Sequence, residues 1–304
     1  MIWGRFNDFF GFMAPAKSIR VARSKGPQLM ADLSHLASLD CFLLDMDGTV
    51  YMGNRPIEGA PEFIAYLQHT GRKLLFLTNN PTADRRAYAD KLKRMNIFVA
   101  PEDILTSGEA TVTYLLEETP WREVYTLGTP SFEAELRAAG INPISDNPEA
   151  VVLSFDKTLT YAKLERACLL LRAGLPFLAT NPDKVCPTDY GYIPDCGAMA
   201  ALIAEATGGR YPHFIGKPSP DFARMALKRL GGSADTAAMV GDRLYTDMAM
   251  ARSAGLAGIL VLSGETKAED LEGQMETPDF VFSSVAELLD ALRKADAEKP
   301  VASN

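Results

Sequence analysis

Asp45 and Asp47 stand two positions apart at the end of the run Cys41-Phe42-Leu43-Leu44, and a Gly48-Thr49 turn follows them. An apolar run this short reads as a buried strand, not an independent helix. In an open parallel sheet the carboxyl ends of the strands face the crevice where ligands bind, so this strand delivers two acids to a place suited to chemistry. An Asp-Gly turn closing an ordinary strand would explain the same residues. Three later stretches decide between the two: Thr78-Asn79-Asn80 after the run Lys73 to Leu77, Lys217 within Gly216-Lys217-Pro218-Ser219-Pro220, and Asp242 with Asp247 in Gly241-Asp242-Arg243-Leu244-Tyr245-Thr246-Asp247. Each lies just after an expected strand or at a helix start, and a doubly wound sheet brings such positions to one crevice.

Four carboxylates gathered there without a counter-charge would repel one another and take up protons. A divalent cation resolves the conflict. Hard oxygen donors favour Mg²⁺, which keeps several waters and engages few protein carboxylates beside a substrate phosphate. Three histidines and four dispersed cysteines offer no zinc cluster, and His35, His69 and His213 have no partner suggesting catalysis. With Mg²⁺ and Lys217 in place, a phosphoryl group is the natural guest, and the Thr78 hydroxyl and nearby backbone N–H groups are further donors. One carboxylate could then act as nucleophile and another transfer protons.

The elements that must position these groups alternate along the chain. Phe63, Ile64 and Leu67 recur at helical spacing up to Gly71, and Lys73 to Thr78 reads as a second buried strand, a length suited to a right-handed parallel crossover. Helices are expected over residues 83–96 and 107–118. From about Trp121 the alternation begins again: strands at Val124–Leu127, Ala150–Ser154 and Pro176–Thr180, helices at Phe132–Ala139 and Tyr161–Arg172, then a polar loop from Asn181 to Gly197 and an alanine-rich helix to Gly208. This block is the size of a small domain and reads as an insertion. Ser219 caps a helix opened by Pro220 and closed at Gly231-Gly232. The strand Ala237–Val240 leads to Asp242; another at Ile259–Leu262, a short one near Phe280 and a last helix with Leu288, Leu289 and Leu292 complete the core, and the charged tail from Lys294 is expected to fray.

The motifs together resemble the haloacid-dehalogenase-like superfamily, whose four ordered motifs match Asp45-Met46-Asp47-Gly48-Thr49, Thr78-Asn79, Lys217, and Gly241-Asp242 to Asp247. Leu77-Thr78-Asn79-Asn80, Thr180-Asn181-Pro182-Asp183 and Gly216-Lys217-Pro218 look like its class IIA phosphatases, the p-nitrophenyl phosphatases and the phosphoglycolate or nucleotide phosphatases. The resemblance covers roughly residues 38 to 292. It implies a Rossmann-like doubly wound α/β core with an inserted α/β cap: an extension at 1–37, a discontinuous core at 38–119 and 206–293, the cap at 120–205 and a tail at 294–304. It further implies that Asp45 attacks phosphorus to give an aspartyl-phosphate, and that Asp47 protonates the leaving alkoxide and then activates water. Mg²⁺ would be held by Asp45, the Asp47 carbonyl and Asp242, with Asp247 holding a metal-bound water; Thr78, the Asn79 backbone and Lys217 would bind the phosphoryl oxygens. Asn80, Asp183 and Asp195 are the candidates for contact with the leaving group. Many relatives have a small residue where Asp195 stands, and the loop Lys184 to Asp195, with Tyr190 and Tyr192, is expected to set selectivity. A carboxylate at Asp47 disfavours carbon–halogen hydrolysis, because halide leaves without protonation.

The expected activity is hydrolysis of a small phosphorylated metabolite. A phosphotransferase, or a sensor that binds without turnover, would use the same fold. The formal net charge of −8 argues against a nucleic-acid or anionic-membrane partner, scattered cysteines favour a reducing cytoplasm, and cap-bearing relatives suggest a homo-oligomer through the cap. Residues 1 to about 35, with a basic patch at Lys17, Arg20, Arg23 and Lys25, admit three readings: a packed or disordered extension, a surface-binding segment, or sequence upstream of a start at Met30.

Overall fold

The computed structural model describes residues 34–188, 191–271 and 278–298. Most of the N-terminal extension and Tyr190 of the selectivity loop therefore lie outside the described residues. A first helical turn, α1, occupies residues 34–38 and buries Leu36. Then come β1 (Cys41–Asp45), a small hairpin of β2 (Tyr51–Met52) and β3 (Arg55–Pro56), α2 (Ala60–His69), β4 (Lys73–Thr78), α3 (Arg85–Arg94), β5 (Ile104–Thr106) and α4 (Ser107–Glu118). The inserted block supplies β6 (Val124–Leu127), α5 (Pro130–Ala138), β7 (Ala150–Leu153), α6 (Tyr161–Arg172), β8 (Phe177–Ala179), β9 (Val185–Thr188), β10 (Gly191–Pro194), α7 (Cys196–Thr207) and β11 (His213–Phe214). The chain closes with α8 (Pro220–Leu230), β12 (Ala237–Gly241), α9 (Ala249–Ala254), β13 (Ala257–Val261), β14 (Phe280–Phe282) and α10 (Val285–Ala297).

The core strands form one six-stranded sheet in the order β14-β13-β12-β1-β4-β5, with every pairing parallel. The chain first builds outward from β1 through β4 to β5, then returns to the other side of β1 for β12, β13 and β14. The order thus reverses at β1, the place where an open α/β sheet binds its ligand. Strand β1 is apolar on both faces because helices cover both: Phe42 and Leu44 pack with Phe63 and Leu288, while Cys41 and Leu43 pack with Phe222 and Met250. Residues inside such a sheet have no solvent face, which is why Asp45 and Asp47 appear only where the strand ends.

The inserted block is a second, four-stranded sheet in the order β11-β8-β7-β6, also parallel, with α6 and α7 on one face. Four features depart from the sequence expectations. The limit at residue 205 falls inside α7, and β11 carries the second sheet on to Phe214. Helix α4, expected as a core layer, also closes the other face of that sheet, where Val112 and Leu115 join Phe132, Leu136 and Val152. The polar stretch after Asn181 is not all loop, since β9 and β10 pair antiparallel across it. The tail does not fray at Lys294: α10 runs to Ala297, buries Ala295, and Asp296 takes two hydrogen bonds from the Arg72 guanidinium and one from Tyr66.

Where α5 meets the core, Glu135 lies beside Gly108 of α4, and burial, reinforced by Glu109 and Asp84 and countered by Arg85, pushes its carboxyl up to about 7. A carboxyl whose folded pKa is raised favours the folded state below the unfolded value of about 4 and loses that contribution as pH rises through about 7. Glu135→Gln should therefore melt at a higher temperature than wild type at pH 8 and at nearly the same temperature at pH 4.5. Equal melting temperatures across that range would show that the carboxyl is not held in this environment.

Candidate active site

Four strand ends converge. Asp45 ends β1, Thr78 ends β4, Asp242 follows β12, and Lys217 sits between β11 and the Ser219 cap of α8, whose hydroxyl accepts from Asp221 N at 3.3 Å. They surround a cavity of about 110 Å³. Of the residues singled out in the sequence, Asp45, Asp47, Thr78, Asn79, Asn80, Asp183, Asp195 and Lys217 line it, while Asp242 and Asp247 lie buried behind it.

Lys217 is 2% exposed, and its Nζ donates to Asp45 Oδ1 and lies 2.8 Å from Asp247 Oδ1. Burial presses the ammonium toward neutrality, but Asp247 and Asp45 more than offset it and hold it charged. The Asn79 side chain fixes the lysine's backbone from both sides: Oδ1 accepts from Lys217 N at 2.8 Å and Nδ2 donates to Lys217 O at 3.0 Å. Ser107 Oγ in turn donates to Asn79 O at 2.7 Å. The resemblance implies phosphate binding by the Asn79 backbone; its side-chain amide has a separate task as a strap between the two loops that flank the cavity, with no signal in local sequence because the partner is far along the chain. Thr78 Oγ1 accepts from Asn80 N at 3.1 Å, and Asn80 Oδ1 accepts from Thr82 N at 3.0 Å, so the loop after β4 is a pair of side-chain-closed turns.

Carboxylate oxygens of Asp45, Asp242 and Asp247 lie within 4.8 Å of one another. Asp242 Oδ2 accepts from Glu265 N at 2.7 Å, whereas its Oδ1 is buried with no hydrogen-bond partner. Asp247 is drawn into the cluster by a π-helical turn over Leu244–Met248, and its Oδ2 accepts from Arg243 N at 3.1 Å. Burial foremost, then Asp45 and Asp247, pushes Asp242 up to about 8; burial also pushes Asp247 up to about 6, against the pull of Lys217. An orphaned buried oxygen, all-oxygen donors and carboxyls driven to hold protons are the conditions that a hard divalent cation relieves. The three residues therefore fit a metal.

Asp47 stands apart from that cluster, with its side chain open to the cavity. Burial by the surrounding walls, countered by Lys91 and reinforced by Asp45, raises its pKa, so it is better able to hold a proton than an ordinary carboxyl. On the cap side, Asp183 and Asp195 are 8% and 3% exposed. Arg243, assigned no role from the sequence, lines the cavity, with Nη1 4.0 Å from Asp183 Oδ2 and Nε 2.9 Å from Glu265 Oε2. Tyr51, Tyr88, Lys91 and Cys186 also line it. None of these four was singled out from the sequence.

This arrangement agrees with comparisons to known proteins. Family models described as haloacid dehalogenase-like hydrolase and HAD-like hydrolase match residues 42–142 and 214–288. The acid sugar phosphatase of Staphylococcus aureus is 37% identical over 83% of this chain and 98% of its own. The 4-nitrophenylphosphatase of Thermotoga maritima superposes with a TM-score of 0.81 at 40% identity, covering 85% of this chain and 99% of that one. A glycerol phosphate phosphatase of Mycobacterium tuberculosis, solved in complex with calcium, gives a TM-score of 0.76 at 33% identity over 84% of this chain and 76% of its own. The chain belongs to the haloacid dehalogenase-like hydrolases and, within them, to the class IIA phosphatases.

Gly48 tests the cluster. Its φ is +90°, a region that favours glycine, and a Cβ there would run into the Asp242 carboxylate. Millimolar Mg²⁺ should raise the melting temperature of the wild type, and Gly48→Ala should displace Asp242 and abolish most of that rise. An undiminished rise would mean that Asp242 does not hold the ion.

Proposed function

We propose that the protein is a Mg²⁺-dependent phosphomonoesterase that hydrolyses a small phosphorylated metabolite through an aspartyl-phosphate on Asp45. The observation that carries this reading is one buried lysine braced against Asp45 and Asp247, beside an Asp242 oxygen that has no partner. Asp45, Asp242 and Asp247, with the Asp47 carbonyl, would hold the ion. When bound, it would offset the phosphoryl charge and leave the carboxylates ionised.

Asp45 attacks phosphorus as the bond to the leaving oxygen breaks. Asp47, in its protonated form, passes a proton to the departing alkoxide, and the upward direction of its pKa favours that form. The Asp47 carboxylate then takes a proton from a water that attacks the phosphoryl group, which releases phosphate and restores Asp45. Lys217 neutralises charge on the transferred group, and the Thr78 hydroxyl and the Asn79 and Asn80 segment border the same space. The cavity is far smaller than the roughly 300–1,000 Å³ of ordinary ligand clefts, which suits a phosphoryl group with a small leaving group. No disulfide joins the cysteines of the described residues, in keeping with a reducing cytoplasm, and no described helix is long and apolar enough to cross a membrane. Selectivity set by Asp183, Asp195 and the β9–β10 hairpin is part of the same proposal.

Asp45→Asn should lower kcat by about 10³-fold or more, the scale of nucleophile removal, and EDTA should silence the wild type until Mg²⁺ is restored. Asp47→Asn should cost about 10²–10⁴-fold with an alkyl phosphate, and distinctly less with p-nitrophenyl phosphate, whose phenolate departs without help. Equal losses on both esters would remove the proton-donor role from Asp47.

A further inference from the structure

We propose that the cap wall of the cavity selects leaving groups that present hydrogen-bond donors, hydroxyl or ammonium, over those that carry a carboxylate, with Asp195 as the specificity-determining residue. This rests on the phosphomonoesterase reading and adds the chemistry of the group that departs.

The hairpin β9–β10 returns the chain so that Asp195 N donates to Lys184 O at 3.0 Å, which presents the Asp195 side chain to the cavity. Its Oδ1 is occupied: it caps α7 by accepting from Cys196 N at 2.5 Å and accepts from Asn181 Nδ2 at 3.3 Å. Among the described residues its Oδ2 takes no hydrogen bond. Asp183, on the same wall, has a buried Oδ1 with no partner. Burial, with Asp183 adding to it against the Cys196 N–H, pushes Asp195 up to about 6.

The cations of the lining are committed elsewhere. Lys217 faces Asp45 and Asp247, Arg243 contacts Glu265 and Asp183, and Lys91 Nζ sits 3.7 Å from the centre of the Tyr51 ring. Asp195 therefore faces the space left for the leaving group with one oxygen that lacks a donor, and Asp183, whose partnerless oxygen is sealed off, adds its charge to the same wall. A donor placed there satisfies Asp195, and a further carboxylate would add like charge in a confined site.

The test compares kcat/KM near neutral pH for glycerol 3-phosphate, phosphoethanolamine and phosphoglycolate, in wild type and in Asp195→Asn. Asparagine also caps helices well, so α7 keeps its N-terminus while the charge is lost, and a ratio between substrates is independent of the fraction folded. The wild type should prefer both donor-bearing esters to phosphoglycolate. In Asp195→Asn that preference should shrink about tenfold, the scale of a charge-assisted hydrogen bond, chiefly through KM. A larger loss for phosphoethanolamine would identify ammonium as the favoured donor, and a larger loss for glycerol 3-phosphate would identify hydroxyl. A wild type that prefers phosphoglycolate, or a variant that slows all three equally, would overturn the proposal while leaving the phosphatase reading intact. Failure of the wild type on all three and on p-nitrophenyl phosphate would remove both.

Discussion

The contact of Lys217 with Asp45 and Asp247 is the constraint on which the site depends. Three charged groups sit in a space almost sealed from water, where removing one partner of a buried pair typically costs about 3–5 kcal/mol. The arrangement survives because the lysine arrives from a loop held by the Asn79 amide and by a capped helix, and because the carboxylates come from the ends of neighbouring parallel strands. One ammonium cannot balance the whole cluster. Asp242, left with an unpartnered oxygen and a strongly raised pKa, records the shortfall, and it is this deficit of positive charge that a divalent cation and its bound waters answer.

The same constraint separates the two acids of the first motif. Asp45 is tied to Lys217 at the floor of the cavity, which suits a group that must meet phosphorus as an anion. Asp47, two residues on and past the strand end, is raised by burial and faces the open space, which suits a group that must hold and release a proton. A strand that ends between them is enough to give two identical side chains different tasks.

Much of this was legible in the sequence. A parallel sheet buried on both faces forces continuous apolar runs, and polar residues can appear only at strand ends, so Asp45, Asp47, Thr78 and Asp242 announced themselves by interrupting such runs. Lys217 was readable from the Gly-Lys-Pro-Ser-Pro entrance to α8. What stayed hidden depended on distant partners. The strap from Asn79 to Lys217 spans the inserted block, and β9 and β10, four residues each with a proline in both, are too short to show an alternating pattern. Strand β5 has only three residues, too few to stand out between two expected helices. The double duty of α4 could not be read, because periodicity shows that a face is buried but not against which of two sheets. The persistence of α10 past Lys294 rests on the long-range pairing of Asp296 with Arg72.

The most direct test of the account is to trap the phosphorylated enzyme. Asp47→Asn, mixed with p-nitrophenyl phosphate and Mg²⁺ and quenched in acid within the first turnovers, should yield a peptide containing Asp45 that bears one phosphoryl group, with nitrophenol released ahead of phosphate. Nitrophenol and phosphate appearing together from active enzyme, with no phosphoryl group on that peptide, would contradict the central claim that Asp45 is the nucleophile.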